Sequence, residues 1–316
     1  MPFKMNISAP KISIVMPVFN REKYVADAVI SILTQTFADF EFIIIDDGST
    51  DSTFDILKSF NDKRIKLLSK NENQGNYVAR NKGMELASGK YICVMDSDDI
   101  ALPQRIQKQF DFMESNTQYG LCGSFVKIEA SDEIVIAPEN YDEIKVWSMS
   151  NIMFRHPTVF IRNEFLKKYK LKYNDTYRYA ADYDFLVRAT HLFPVTNIQE
   201  VLLEYRRHAD QISTANRSGQ AKIVQKVILS QLSYFKKSIS EKDKRLHLAL
   251  MNRIPLKNED EFNELKEWAN FLLKKNNETG YYDSAQLANF LKSLLKYVLK
   301  EYKINRNDYQ EKKIVK

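Results

Sequence analysis

Between residues 11 and 96 the sequence repeatedly switches between short apolar runs and segments whose apolar residues recur at helical spacing. KISIVMPVF (11–19), FEFIIID (40–46), RIKLLS (64–69) and KYICVMD (90–96) have the length and β-branched content of buried strands. Between them, YVADAVISILTQ carries Val25, Ala28, Val29 and Ile32 on one helical face, STFDILKSF reads as a short helix, and NYVARNKGMELAS reads as a helix stopped at Gly89. Such βαβαβαβ alternation predicts parallel strands covered by helices on both faces, with ligands gathered outside the carboxyl ends of the strands. Four polar loops, MPVFNRE, DDGSTDST, SKNENQGN and DSDDIALP, all follow strands and are therefore expected on one rim.

Most demanding is YICVMDSDDI, where an apolar run drives into Asp96, Asp98 and Asp99. Like charges this close raise one another's pKa, so the cluster calls for a compensating positive charge, for which a divalent cation is suited. A strand-to-helix turn would also use aspartates here, as hydrogen-bond acceptors capping the helix expected from Pro103 to about Ser115.

Beyond that helix, GLCGSFVKI and EIVIA read as strands separated by a turn at Ser131 and Asp132, and residues 151–165 as a loop, a short strand and a helix start. Residues 180–192 read as a helix, and NIQEVLLEYRRH as a closing strand. From about residue 216 the pattern is helical, strongest at 219–238, 257–275 and 283–303, so an α/β domain over 1–215 and a helical region over 216–316 are expected. The formal net charge of +6 is unevenly shared: +9 over 217–316 and −3 before it. A basic helical tail suits a solvated helix face or contact with anionic lipid headgroups.

With 316 residues, 44% of them hydrophobic, the chain can bury a sizeable core. No signal-peptide pattern opens the sequence and no apolar run approaches a membrane span, so a cytoplasmic protein is expected. Cys93 and Cys122 form no CxxC pair and read as reduced packing residues, while four histidines exclude a His-rich metal site but allow a single His ligand. Neither GxGxxG nor GxxxxGK[ST] is present, which excludes the common glycine-loop modes of nucleotide binding.

ISIVMPVFNREKYVADAVISILTQTF, FIIIDDGSTDST and NENQGNYVARNKGMELASGKYICVMDSDDIALPQRI resemble, in that order, the nucleotide-sugar domain of family 2 glycosyltransferases of the GT-A fold, over about residues 11–210. The resemblance implies that Pro17, Phe19 and Asn20 on the first loop and Asp46 and Asp47 on the second surround the nucleotide, and that Arg80 faces it. Asp96-Ser97-Asp98 matches the family's DxD, which implies that Asp98 binds Mn²⁺ or Mg²⁺, that Asp96 contacts ribose or metal-bound water, and that a UDP-type donor is used. YRYAADYDFLVRA resembles the family's ED segment and puts Asp182 at the base, with Ala181 where a Glu is usual and Asp184 as the alternative carboxylate. EYRRHADQIS resembles the closing segment, where His208 would complete the metal or diphosphate site; His156 lies on a loop that could line the sugar pocket.

These matches imply an inverting, metal-dependent transfer of a hexose or N-acetylhexosamine from a UDP-sugar to a hydroxyl of a glycan or lipid-linked acceptor in cell-surface polysaccharide synthesis, with no nucleic-acid partner. Inversion needs a carboxylate that deprotonates the incoming hydroxyl. A sugar-nucleotidyltransferase would carry a Gly-rich signature near its first strand, and a haloacid-dehalogenase-like phosphatase would carry its DxD on the first strand, not the fourth. A sugar-nucleotide-binding protein without turnover is the non-enzymatic alternative, and Ala181 is the one residue that hints at it.

Overall fold

The computed structural model describes residues 9–208, 211 and 217–314. The first half follows the expected alternation: β1 (Ile12–Val18), α1 (Val25–Leu33), β2 (Phe40–Asp46), α2 (Thr53–Ser59), β3 (Ile65–Ser69), α3 (Asn76–Leu86) and β4 (Tyr91–Val94). Every residue of β1, β2 and β4 is buried, as strands covered on both faces require, and Val25, Ala28, Val29 and Ile32 of α1 point into the core. β3 lies at the sheet edge and is only half covered.

Parallel register sets the rim. Val18 stands opposite Asp46, and Asp46 opposite Ser69, so β1, β2 and β3 end at one level and release their loops side by side. β4 pairs with the other side of β1 and ends opposite Val15.

The second half departs from an all-parallel sheet. It contains β5 (Ile100–Ala101), α4 (Arg105–Ser115), β6 (Leu121–Ile128), β7 (Ile134–Val135), α5 (Tyr141–Trp147), a 3-10 turn at His156–Thr158, β8 (Phe160–Arg162), α6 (Asn163–Tyr169), α7 (Ala181–Leu192) and β9 (Val195–Tyr205). Sheet order is β3-β2-β1-β4-β8-β6-β9-β5, with β7 on β6; β8 runs antiparallel to both β4 and β6, and β5 antiparallel to β9. The antiparallel β8 is held by Arg162, which donates to the Tyr91 hydroxyl at 2.8 Å and to carbonyls of Met113 and Tyr119. Asn163 follows with a bond to the Gly89 carbonyl at 2.8 Å.

The remaining helices are α8 (Arg217–Ser230), α9 (Glu241–Met251), α10 (Glu259–Thr279) and α11 (Ser284–Ile314). Ser240 and Asp243 form a capping box at the start of α9, and Asn258 caps α10 by accepting from the Glu261 amide at 2.9 Å. Two compact units result: one takes residues to Tyr141 and Met153–Gln220, the other Asp142–Ile152 and everything from Ala221. Residues 142–152, which the sequence reading assigned to the α/β domain, belong to the second unit for a packing reason. Trp147 sets its edge on Phe290 at 5.0 Å, and Lys145 donates to the Tyr281 carbonyl at 2.7 Å while lying over that ring. The expected boundary at 215/216 itself lies outside the described residues. Among the described residues no helix is long and apolar enough to cross a membrane.

Candidate active site

Side chains and amides lock the four loops that follow β1 to β4 to one another. Asn20, in the left-handed region at φ 50°, receives the Thr50 amide on Oδ1 at 2.8 Å and donates its own amide to Ser49 Oγ at 2.9 Å. Asp46 is buried, and both its oxygens are taken: Oδ1 by the Ser49 amide at 3.3 Å and Oδ2 by Ser69 Oγ at 3.0 Å. It shapes the second loop from within. Asp47 reaches the third loop, where Oδ2 accepts from the amides of Gln74 and Gly75 at 3.1 and 2.7 Å and Oδ1 meets Lys70 Nζ at 3.1 Å. Gly48 permits this approach: its φ is +79°, and a Cβ there would stand 2.8 Å from the Glu72 carbonyl carbon. Pro17 is buried within β1, and Phe19 stands at the rim, 38% exposed.

Helix α3 carries these constraints further. Its N-terminus, at Gly75, is pinned by Asp47, and Tyr77 in the first turn shares a face with Arg80 at i and i+3. Arg80 is fully buried and donates from Nη2 to Asp96 Oδ1 at 2.6 Å. Tyr77 donates to Asp182 Oδ1 at 3.1 Å. One helix therefore touches the acidic loop after β4 and the acidic first turn of α7.

The three crowded aspartates stand in different surroundings. Burial opposes the charge on Asp96, but Arg80, with smaller contributions from His156 and Arg105, holds that carboxyl below the usual range. Burial, then the charges of Asp96 and Asp98, push Asp99 well above its ordinary value. Asp99 Oδ1 accepts the Arg206 amide at 3.1 Å. Asp98 Oδ2 receives two groups, Arg21 Nε at 3.2 Å and His208 Nε2 at 3.0 Å, and the His208 ring stacks on Tyr24 at 4.4 Å. Ser97 is buried between them.

Asp182 is part-exposed and the second residue of α7, two positions after Ala180 at φ 53°. Its Oδ1 accepts both Tyr77 and the Tyr183 amide, the latter at 2.9 Å. Asp184, the alternative carboxylate, is paired with Arg188 on its own helix at 2.7 Å. Ala181 is fully buried, so a glutamate there would carry its carboxylate into the interior. His156 bonds the Tyr173 hydroxyl at 2.8 Å, and burial, then Arg80, lowers its pKa to about 4, leaving the ring neutral at pH 7. Tyr173 stacks between Tyr77 at 5.6 Å and Phe185 at 4.3 Å.

Asp47, Arg80, Asp96 and Asp182 are thus joined through one helix, while Asp98 and His208 form a second group tied to the first loop by Arg21. Among the described residues no set of three or more His, Cys, Asp or Glu side chains is grouped to hold a metal. Asp98 and His208 supply one carboxylate and one imidazole, a set that fits a divalent cation completing its shell from phosphate and water. Nothing in the sequence pattern marks Tyr77 or Tyr173 as site residues: Tyr77 sits inside NENQGNYVARN, but only the fold puts it against Asp182.

The family model for glycosyl transferase family 2 matches residues 13–180. An uncharacterized glycosyltransferase of Haemophilus influenzae is 31% identical over 242 residues, 72% of this chain and 75% of that protein. TuaG of Bacillus subtilis, a glycosyltransferase named for teichuronic acid biosynthesis, is 32% identical over 213 residues, 65% of this chain and 82% of its own. Among solved structures, S. aureus TarS 1–349 in complex with UDP-GlcNAc superposes with a TM-score of 0.64 at 18% identity, over 95% of this chain and 92% of that one. The mannosyltransferase PcManGT of Pyrobaculum calidifontis, in complex with GDP-Man and Mn²⁺, gives 0.55 at 13% identity, over 94% and 88%. The fold is that of the GT-A glycosyltransferases.

Proposed function

The chain belongs to glycosyl transferase family 2, and from that premise we propose an inverting, cation-dependent enzyme that moves a hexose or N-acetylhexosamine from a UDP-sugar to a hydroxyl of a glycan or lipid-linked acceptor. The observation that carries this reading is the bracing of Asp182 and Asp96 by the same helix, α3, through Tyr77 and Arg80. Two carboxylates fixed to one rigid element, one part-exposed and one kept charged by a buried guanidinium, suit a base on the acceptor side and a hydrogen-bond acceptor on the donor side. The UDP-GlcNAc complex of TarS supports a UDP-sugar donor, and the name of TuaG supports a cell-surface polysaccharide as product.

In this reading Phe19 and Asn20 flank the nucleoside, with Pro17 buried behind them, and Asp47 Oδ1 accepts from the nucleobase in exchange for Lys70. Asp46 acts indirectly, by holding the loop that presents Asp47. Asp96 and Ser97 face the ribose and diphosphate, with Arg80 fixing Asp96. Asp98 and His208 would hold Mn²⁺ or Mg²⁺, a group supported by the Mn²⁺ in the PcManGT complex. When bound, the cation would neutralise charge gathering on the departing diphosphate. Asp182 takes the proton of the acceptor hydroxyl.

The test is nucleotide release from UDP-glucose, UDP-GlcNAc and GDP-mannose with Mn²⁺ and candidate acceptors, run beside thermal-shift binding. Acceptor-stimulated UDP release that disappears in Asp182→Asn, and in Asp98→Ala or EDTA, is expected, with donor binding retained in Asp182→Asn. Donor binding without release in the unmodified protein would replace this reading with a binding protein. Full activity in excess EDTA would remove the cation from it.

A further inference from the structure

All described hydrogen bonds to Asp182 fall on one oxygen, Oδ1, which accepts the Tyr77 hydroxyl at 3.1 Å and the Tyr183 amide at 2.9 Å. Tyr77 is not free to wander. Its ring stacks on Tyr173 at 5.6 Å with 24° between the planes, and Tyr173 stacks in turn on Phe185 of α7, the helix that carries Asp182. Its backbone belongs to the first turn of α3, which Asp47 pins through Gly75. The phenol is thus clamped from both helices it joins.

We propose that Tyr77 is a positioning residue for the transfer reaction: its hydroxyl fixes Oδ1 of Asp182 so that the other oxygen is offered to the acceptor hydroxyl. This rests on Asp182 being the base. Burial, then the Asp182 charge, pushes the Tyr77 phenol well above its ordinary value, so it stays protonated and serves as a donor through the working pH range. The remaining charged or titratable groups around the pair are Arg80 on α3, Asp96 after β4, His156 before β8, Tyr173 ahead of α7, and Arg188 with its partner Asp184 on α7. A hydrogen bond donated to a carboxylate favours its charged form, so deleting it makes the base hold its proton to higher pH. Losing the orientation also slows the proton transfer itself.

The experiment measures kcat and KM for donor and acceptor against pH in the full chain, in Tyr77→Phe and in Asp182→Asn. Tyr77→Phe keeps the ring that stacks on Tyr173. Expected are a fall in kcat of about tenfold or more, a donor KM within about twofold of the parent, and an acid limb of kcat/KM moved to higher pH by roughly half to one unit. A second variant with 3-fluorotyrosine at position 77 retains ring, hydroxyl and packing but donates more strongly, and moves the same limb to lower pH. Should Tyr77→Phe fold poorly, the fluorinated chain still decides. An inactive Asp182→Asn together with an unmoved limb in either variant overturns the role of Tyr77 while leaving the base in place. A fully active Asp182→Asn overturns both.

Discussion

Arg105 offers the sharpest test of how the acidic loop is supported. It is the first residue of α4, fully buried, and its guanidinium runs beneath the end of β4. Nη2 donates to the carbonyls of Val94 at 2.8 Å and Pro157 at 2.6 Å, and Nε donates to Gln109 Oε1 at 3.1 Å. Among the described residues no carboxylate lies within ion-pair distance of it, yet its charge acts on both Asp96 and Asp99. Arg105→Met keeps much of the volume and removes the charge. The two carbonyl bonds are charge-assisted, about 1.5–3 kcal/mol each, and their buried acceptors would lose that donor, with only a weak Cys93 thiol contact left to the Val94 carbonyl among the described residues. Relief of the buried guanidinium's desolvation offsets part of that loss. The net expectation is about 2–4 kcal/mol of destabilisation. For a unit of about two hundred residues each kcal/mol moves Tm by about 2–4 °C, so a fall of roughly 4–16 °C should appear in scanning calorimetry. Arg105→Lys, able to reach one carbonyl, should lose about half as much. A Tm for Arg105→Met within about 2 °C of the parent would refute the reasoning, as would equal losses for Met and Lys.

Gly48→Ala should cost about 1–3 kcal/mol, because the backbone is left-handed and the new Cβ would meet Glu72 backbone at 2.8 Å; urea unfolding reads it. Asp99→Asn should leave stability within about 1 kcal/mol, since an amide keeps the acceptor for Arg206 N, whereas Asp99→Ala strands that amide and loses about 1–3 kcal/mol. Burial lowers the His247 pKa to about 3, and His156 to about 4, against about 6.5 unfolded. The unfolded chain therefore takes up protons first as pH falls. The stability held by these neutral rings is complete above about pH 6.5 and is lost toward pH 3 to 4, at up to about 1.4 kcal/mol per unit and per group. Urea midpoints at pH 7 and pH 5 should differ accordingly, and His247→Phe should flatten the slope.

Strands β1, β2 and β4 were legible because both faces of each are covered, which writes continuous apolar runs into the sequence. Val25, Ala28, Val29 and Ile32 gave α1 by the same route. The meeting of the four loops followed from parallel alternation, and the contacts of Asn20 with Thr50, Asp47 with Gly75 and Arg21 with Asp98 bear it out. Sheet order was not legible: nothing in FIR says that it will insert antiparallel between β4 and β6, since that placement depends on Arg162 reaching Tyr91, Met113 and Tyr119 across long separations. Side-chain direction was equally hidden. Asp46 and Asp47 are adjacent, but one turns toward Ser49 and Ser69 and the other toward the third loop. Residues 142–152 gave no compositional sign that Trp147 would join the second unit.

The crowding of Asp96, Asp98 and Asp99 becomes tolerable because the fold gives each a separate electrostatic solution. Asp96 keeps its charge against a fully buried arginine on α3, and Asp99 is driven toward its neutral form by burial and by its neighbours. Asp98 is held at one oxygen by Arg21 from the first loop and by His208 from beyond β9. Arg105 adds positive charge from beneath without spending a carboxylate on itself. All four of these cationic or imidazole groups lie on elements other than β4 and β5, the acidic loop's immediate neighbours in sequence, so the cluster can exist only when the sheet is assembled. A chain that failed to bring α3, the first loop and the segment after β9 together would leave at least two like charges uncompensated at the end of a buried strand, at a cost of several kcal/mol per ion. Correct assembly of the sheet and formation of the acidic site are therefore one event.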